Sequence, residues 1–484
     1  MSRYSNKTQW GQFIPLVSVF FFWGFVAAGN DILIPVFKKA FDLTQMESMI
    51  IQFCFYVAYT VGSLIYIMVS YLIKQDLVNK IGYKNGLITG LLISALGTLL
   101  FYPAANSRSY FLMVSGLFIV GLGFSLQQIV CNPLAIVLGP VKTGSQRLTL
   151  AGGINNFGTT IGPLVVSFAI FGSMSSDNIN ASIESVKIPY LVLGLAFVLV
   201  AGILKFSDIP DIIENTPKGA PLGEIDTSRK NAFAYPQLVL GMIAIFVYVG
   251  VEVATVSNIP AYLETHLGFE TKSIAPYVSL YWASLMIGRW TGGVDAFDVS
   301  GGTKKILRFL APYFAFLVFL LSTHLSGHDL RPFYIYPAII LVLIFADILS
   351  KGNPARMLLI FSSLGILALI LGMLTEGYVS LYAFVSVGLF CSTLWPCIFA
   401  LAINGLGKHT NQGSGLLIMM IMGGGVLSVI QGKIADSVNI KFSFIVGIMC
   451  FAYLVFYALA SSSILRKQGI DLDTAKSDEN NHSQ

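Results

Sequence analysis

Residues 132–146 read NPLAIVLGPVKTGSQ, and residues 395–415, WPCIFALAINGLGKHTNQGSG, follow the same plan. Each stretch has a proline-containing helix that ends in Leu-Gly, then a short basic loop and a Gly-Ser start. Each is followed by a run rich in small residues, LAGGINNFGTTIGP (150–163) in the first and LLIMMIMGGGVLSVIQG (416–432) in the second. Small residues let helices pack closely in a membrane. The pattern therefore predicts two related halves.

The composition places both halves in a membrane. Of the 484 residues, 55% are hydrophobic and 11% are charged, and the mean hydropathy is +0.76, whereas about a quarter of the residues of a soluble chain are charged. The first apolar run lacks a short hydrophobic core with a cleavage site, so it is not interpreted as a removable signal peptide. The five cysteines show no metal-ligand spacing, and the net charge of +5 requires no nucleic acid. The composition predicts an all-α polytopic membrane protein.

Windows of about 20 apolar residues between polar segments predict about fourteen membrane-spanning helices. In the first half they lie near residues 12–37, 48–73, 86–105, 109–139, 147–173 and 189–207, and in the second half near 236–266, 273–296, 306–325, 333–350, 355–375, 378–406, 413–432 and 442–464. With the N-terminus inside, 21 of the 29 Lys and Arg residues fall on the cytoplasmic side and 8 on the other. This distribution satisfies the positive-inside rule, so both termini are predicted to be cytoplasmic.

The predicted helices divide the chain into two bundles. Residues 11–207 form an N-terminal six-helix bundle, residues 208–235 a cytoplasmic loop, and residues 236–464 a C-terminal bundle. Residues 465–484 are expected to be a disordered cytoplasmic tail. Two related bundles joined by a long loop are typical of secondary transporters, which bind their substrate between the halves near the midplane. We expect such a protein to act as a monomer.

Two carboxylates lie inside the predicted spans, Asp31 in the first and Glu252 in the seventh. A charged side chain at the bilayer centre costs about 2.5–3.5 kcal/mol on insertion scales, so such residues usually have a function. Because these helices begin the two halves, both carboxylates are predicted to face a shared cavity and to titrate or bind a cation. Two alternatives stay open: Asp31 snorkels or caps at the outer interface, or Glu252 makes a structural hydrogen bond. Arg289, Asp295 and Asp347 are placed towards cytoplasmic helix ends, within reach of the interface.

Side-chain amides form the second part of the predicted site. The amides are Asn30, Gln128, Asn132, Asn155 and Asn156. Gln128 and Asn132 are four residues apart and therefore share one helix face. Amides both donate and accept hydrogen bonds, which suits a neutral, polyhydroxylated ligand better than an ion. Trp23 and Tyr281 are candidates for stacking on the apolar face of a sugar, and Glu252 for binding its hydroxyls.

Six segments resemble the fucose–galactose–glucose symporter branch of the major facilitator superfamily. They are WGFVAAGNDILIPVFKKAF (23–41), YKNGLITGL (83–91), NPLAIVLGP (132–140), RLTLAGGINNFG (147–158), GRWTGG (288–293) and QGKIAD (431–436). The resemblance runs from about residue 12 to residue 464. It implies a twelve-helix core of two six-helix bundles, alternating access and cation-coupled sugar uptake, with Asp31 at the position of the family's helix 1 aspartate.

The chain departs from the fucose-transporting members of this branch at several positions. Those members have a glutamate where this chain has Gln128 and a glutamine where it has Glu252. Ala27, Ala28 and Gly152 replace further amides, so the fucose contacts are not reproduced. Gln128 together with Glu252 resembles the glucose/galactose transporters of the branch. The resemblance therefore implies glucose or galactose as the substrate, with L-fucose or another sugar as the alternative.

Residues 306–350 add two helices to the twelve-helix core, which gives two six-helix bundles plus two extra helices. We expect this hairpin to pack outside the C-terminal bundle, away from the substrate path.

The coupling ion stays open between H⁺ and Na⁺, held at Asp31 or Glu252, and no other cofactor or metal is expected. Efflux of amphipathic drugs is a further function of this fold, but the density of amides argues against it. An enzyme is not expected, because it would need a nucleophile with a base, or a metal cluster, and all five His residues fall in predicted loops or the tail. The short loops are typical of a multi-pass protein of a bacterial cytoplasmic (inner) membrane.

Overall fold

A computed structural model of the chain describes residues 8–41, 45–140, 143–171, 187–211, 231–269, 271–297, 299–470 and 472. Within these ranges, side chains are described except at 28–40, 45–52, 163–171, 271–273, 275 and 295. The regular structure of the described ranges is entirely helical, as the sequence predicts.

The described residues contain eight α-helices in the first half of the chain and eleven in the second. The first eight are α1 (Trp10–Ala40), α2 (Gln45–Leu72), α3 (Leu77–Ile81), α4 (Tyr83–Leu99), α5 (Phe101–Asn106), α6 (Tyr110–Val137), α7 (Gly144–Phe171) and α8 (Lys187–Phe206). The others are α9 (Pro236–Leu267), α10 (Thr271–Gly293), α11 (Gly301–Leu325), α12 (Tyr336–Ser350), α13 (Pro354–Leu374), α14 (Gly377–Cys391), α15 (Leu394–Ile403), α16 (Thr410–Met419), α17 (Gly423–Ser437), α18 (Ile440–Ser443) and α19 (Ile445–Lys467).

Length and composition qualify twelve helical stretches of the described residues as candidate membrane spans, so the predicted count of about fourteen is not supported by this criterion. The two predicted spans that do not qualify, 147–173 and 273–296, form α7 and α10. The apolar end of α7, residues 163–171, lies outside the residues whose side chains the structure describes, and polar residues such as Arg289 lower the hydropathy of α10. Helices that turn polar side chains towards the protein interior are less apolar than helices that face lipid.

Helices α1 and α7 pack backbone to backbone through glycines. A Cβ on Gly24 would lie 1.9 Å from the carbonyl oxygen of Asn155, and a Cβ on Gly158 would lie 2.4 Å from that of Phe21. Such an approach is possible only where no side chain intervenes. The Asn155 amide then reaches across, and its Nδ2 donates to the carbonyl oxygen of Phe20 at 3.0 Å.

The glycine run of the second half makes the same kind of contact. A Cβ on Gly423 in α17 would lie 2.0 Å from the carbonyl oxygen of Phe246 in α9. Each of the two small-residue runs therefore contains glycines that pack against the first helix of its own half. The repeat in the sequence corresponds to a repeated helix contact in the structure.

The two extra helices, α11 and α12, pack along α10. The Tyr336 and Ser284 hydroxyls are 2.6 Å apart, and the ring of Phe314 stacks on Trp290 with centroids 5.8 Å apart. Helix α11 also contacts α7 of the first half. The hairpin thus lies beside the junction of the two halves and touches both, whereas the sequence led us to expect contacts with the C-terminal bundle alone.

Asp347 is buried inside this hairpin. Its side chain is 3% exposed, and its Oδ2 lies 3.6 Å from Nε of Arg308 on α11. The prediction that Asp347 reaches the membrane interface is therefore wrong. A carboxylate removed from water requires a compensating charge, and Arg308 supplies one across the hairpin.

Both ends of the described chain lie at one face of the helices, here called the terminal face, where α1 begins at Trp10 and α19 ends at Lys467. Hydrogen bonds connect the two halves there. They run from Thr8 Oγ1 to Ala296 O (2.8 Å), from Gln146 Nε2 to Gly352 O (3.1 Å) and from the Tyr83 hydroxyl to Asn411 Oδ1 (2.5 Å). The two halves are thus in direct polar contact at the terminal face.

Candidate functional site

A chain of neutral hydrogen bonds holds the interior of the first half together. Trp23 Nε1 on α1 donates to Gln127 Oε1 at 2.9 Å, and Gln127 Nε2 on α6 donates to Ser94 Oγ on α4 at 3.0 Å. Trp23 is 5% exposed. The structure therefore binds the Trp23 indole N–H within the half, and its predicted stacking on a sugar stays a prediction.

Four of the predicted amides lie in α6 and α7: Gln128 and Asn132 in α6, and Asn155 and Asn156 in α7. Gln128 is half-buried, with its Nε2 3.4 Å from the hydroxyl of Tyr59. Asn132 and Asn156 are 1% and 3% exposed. Asn132 Nδ2 and Asn156 Oδ1 are buried and have no hydrogen-bond partner among the described residues. Buried polar atoms without a partner are uncommon in folded proteins and require an explanation.

The remaining residues predicted for the first half have different outcomes. The Asn155 side chain donates its hydrogen bond to α1 in the α1–α7 contact described above. Asn30 and Asp31 lie in α1, but their side chains are outside the described residues. Their predicted roles in sugar and cation binding therefore stay predictions.

Glu252 of the second half lies in a cluster with a cation and two tyrosines. Its Oε2 accepts a hydrogen bond from the Tyr248 hydroxyl and lies 3.9 Å from Nη2 of Arg289. The Tyr281 hydroxyl donates to the main-chain carbonyl oxygen of Glu252 at 2.9 Å. Tyr281, a predicted sugar contact, is fully buried in this cluster.

The placement of Arg289 at an interfacial helix end is wrong, because its side chain is 9% exposed and lies beside Glu252. The guanidinium compensates a carboxylate that would otherwise be buried alone. The side chain of Asp295, which was given the same placement, is outside the described residues.

Arg289 is a residue of this cluster that the sequence did not lead us to place at the site, although a signal for it existed. An ionisable residue inside a membrane usually pairs with another, and Arg289 is the one basic residue in the predicted span 273–296. Gln127 was missed as well, since only the rotation of α6 distinguishes it from Gln128. A group of three or more His, Cys, Asp or Glu side chains suited to a metal ion is not found in the described part of the chain.

The fold and this site define a class: a helical membrane protein with two related halves, buried amides in the first half, and a buried ion pair in the second half that contacts the first through Arg289. The chain belongs to the Major Facilitator Superfamily, whose sequence profile matches residues 16–345.

Individual transporters that are similar to the chain agree with this assignment. The chain is 34% identical over 449 residues to a protein named glucose/galactose transporter from Brucella abortus biovar 1 (strain 9-941), covering 92% of this chain and 93% of that protein. It is 28% identical over 463 residues to the L-fucose-proton symporter of Escherichia coli (strain K12), covering 92% of each. The higher identity to the first protein confirms that the chain resembles the glucose/galactose transporters more closely than the L-fucose-proton symporter.

A solved structure has the same fold. The crystal structure of FucP, a Major Facilitator Superfamily transporter in the outward conformation, superposes with a TM-score of 0.69 at 26% identity. The superposition covers 93% of this chain and 98% of that one.

Proposed function

We propose that the chain is a cation-coupled symporter that imports a neutral hexose, glucose or galactose, by alternating access. The observation that carries the proposal is that two buried amide atoms, Asn132 Nδ2 and Asn156 Oδ1, have no hydrogen-bond partner among the described residues. A sugar hydroxyl can accept a hydrogen bond from the first and donate one to the second. The printed names of the relatives, which are sugar transporters and a fucose symporter, support the same substrate class.

The proposed coupling site is Asp31, and the proposed coupling ion is H⁺, with Na⁺ as the alternative that the experiment below distinguishes. The relative named L-fucose-proton symporter supports H⁺. Neutralising a carboxylate lowers the free energy required to enclose it between closing halves. Cation and sugar would bind from one side, the halves would rock about the site, and both ligands would leave on the other side.

We further propose that α7 and α10 cross a bacterial cytoplasmic membrane together with the twelve candidate spans, because their 28 and 23 residues suffice for the hydrocarbon core. Residues 11–207 and 236–464 are the two bundles, 208–235 joins them, and the protein acts as a monomer. Both termini are placed in the cytoplasm. The hydrogen bonds of the terminal face then close the cytoplasmic side, which agrees with the outward conformation named for the FucP structure.

Transport in proteoliposomes tests this function. Vesicles that contain the protein are expected to exchange labelled glucose or galactose in counterflow without any ion gradient. Accumulation against a concentration difference should require one imposed gradient, of pH or of Na⁺, and that gradient identifies the coupling ion. Protein-free vesicles are the control, and L-fucose is assayed in parallel. Absence of hexose counterflow would reject the proposal, and gradient-driven movement of a lipophilic dye instead would favour drug efflux.

A further inference from the structure

Arg289 is the centre of a buried polar cluster in the second half. Its Nε donates to the carbonyl oxygen of Ser392 at 2.9 Å, and its Nη2 donates to the Tyr248 hydroxyl at 3.3 Å. The same Nη2 lies 3.9 Å from Glu252 Oε2, and the two side chains are 9% and 15% exposed. The guanidinium is therefore placed to neutralise this carboxylate from within the same half.

One contact of Arg289 crosses to the first half. Its Nη1 donates to the carbonyl oxygen of Gly152 at 3.3 Å, and the Nε1 of the adjacent Trp290 donates to that of Gly153 at 3.1 Å. A Cβ on Gly152 would lie 3.2 Å from Arg289 Cδ, and a Cβ on Gly153 would lie 2.6 Å from Trp290 Cδ1. Two consecutive side chains of α10 thus bind two consecutive carbonyl groups of α7, where only glycine leaves room.

We propose that Arg289 is a built-in cation of the transport cycle: it neutralises Glu252, so that the second half takes up no coupling ion, and it links the halves through Gly152. The inference rests on the cation-coupled transport proposed above. A Na⁺ ion bound at Glu252 would lie beside the guanidinium, and like charges repel strongly in an interior of low dielectric constant. A proton would have to bind a carboxylate whose charged form the adjacent guanidinium favours.

The distribution of the contacts indicates how the cluster behaves when the halves separate. The contacts of Arg289 with Ser392, Tyr248 and Glu252 lie within the second half, and only the one with Gly152 crosses the junction. Separation would remove one hydrogen bond and keep the two charges together. The pair can therefore move with its half and expose no uncompensated charge to the membrane interior.

Counterflow and gradient-driven accumulation of labelled glucose and galactose, measured on the same vesicles, test the inference. The variants are Glu252→Gln, Arg289→Gln and the double variant. Arg289→Gln leaves the carboxylate without its cation, so its counterflow should fall by about tenfold or more. Adding Glu252→Gln should restore counterflow to within about threefold of the wild type. Glu252→Gln and the double variant should both reach the wild-type accumulation ratio.

The matched control is Arg308→Gln, which removes an arginine that pairs with a buried carboxylate in the hairpin. This control should leave the accumulation ratio unchanged. If a variant with glutamine at 252 exchanges hexose but cannot accumulate it, Glu252 carries the coupling ion and the inference is overturned. The same holds if the double variant is as slow as Arg289→Gln, because the two charges would then not compensate each other.

A second variant covers the case in which the double variant does not fold. Arg289→Lys keeps the charge and should therefore keep the wild-type ratio of cation to hexose, and a changed ratio would also overturn the inference. Failure of the wild type to accumulate hexose under either gradient is a separate outcome. It rejects the proposed function, whereas a working wild type with the wrong pattern among its variants rejects only the role of Arg289.

Discussion

Each half of the molecule buries an arginine, and the two are held differently. Arg147 in α7 donates to the carbonyl oxygens of Ala135 and Pro140 at 3.1 and 2.9 Å and to the Thr143 hydroxyl at 2.7 Å. Its partners are thus neutral oxygens around the end of α6. Arg289 combines two carbonyl oxygens and a tyrosine with a carboxylate.

The difference shows which member of the Glu252–Arg289 pair depends on the other. Among the described residues, the partners of the buried Arg147 guanidinium are neutral oxygens, and Arg289 has two such oxygens of its own. The described partners of the Glu252 carboxylate are the Tyr248 hydroxyl and the guanidinium. The carboxylate is therefore the dependent partner, which is why the loss of Arg289 should be more damaging than the loss of Glu252.

The largest expected effect is that of replacing Arg147, and it tests the contrast between the two buried arginines. Arg147→Ala leaves several buried carbonyl oxygens without a hydrogen bond and creates a cavity. We therefore expect the free energy of unfolding to fall by about 3 kcal/mol or more. Thermal unfolding of the purified protein measures it, with the exposed Arg466→Ala as control. If Arg147→Ala unfolds like the control, neutral oxygens are not what holds this arginine, and the contrast with Arg289 is lost.

The next effect concerns which half couples the cation. If the second half carries its own cation, coupling depends on Asp31, and Asp31→Asn should abolish gradient-driven hexose accumulation while counterflow continues. Asp329→Asn, in an exposed loop, is the matched control. If Asp31→Asn still accumulates hexose under a gradient, Asp31 is not the coupling site, and the prediction is wrong.

A smaller effect tests the neutral chemistry of the first half. Asn156→Ala removes a buried carbonyl group that has no partner among the described side chains. If this group binds a sugar hydroxyl, the KM of hexose counterflow should rise by about tenfold. Asn106→Ala, at the exposed end of α5, controls for the loss of an amide. An unchanged KM would assign Asn156 to packing instead.

The smallest expected effect concerns the exposed ion pair of Lys441 and Glu376, which contrasts with the buried pair of Arg289 and Glu252. A hydrogen bond from Lys441, with the charges of Lys441 and His266 nearby, holds the pKa of Glu376 below its usual value. A lowered pKa in the folded state stabilises the fold above the unfolded-state pKa of about 4.3. That stabilisation is lost as the pH falls through the folded-state pKa.

Glu376→Gln should therefore lower the Tm by no more than about 2 °C at neutral pH, because exposed pairs contribute little. The difference from the wild type should vanish in strong acid. Thermal unfolding across pH measures it, with the exposed Glu264→Gln as control. A difference that persists in acid would show that the charge of Glu376 is not its cause.

Much of the fold could be predicted from the sequence, because long apolar runs and the repeated glycine-rich segments report directly on helices and their close contacts. The site could be predicted only in part. Asn132 and Asn156 could be proposed as site residues because amides are rare and conspicuous in apolar helices. The Glu252–Arg289 contact joins two helices whose relative rotation no local pattern encodes.

The inserted hairpin gives the molecule a lateral asymmetry. The two halves are in contact between α7 and α10 and between α2 and α16, and α11 lies beside the first of these contacts. The hairpin therefore occupies a position beside the α7–α10 contact where lipid would otherwise lie. The stacked rings of Phe314 and Trp290 connect the hairpin directly to this contact between the halves, because Trp290 also donates to the carbonyl oxygen of Gly153.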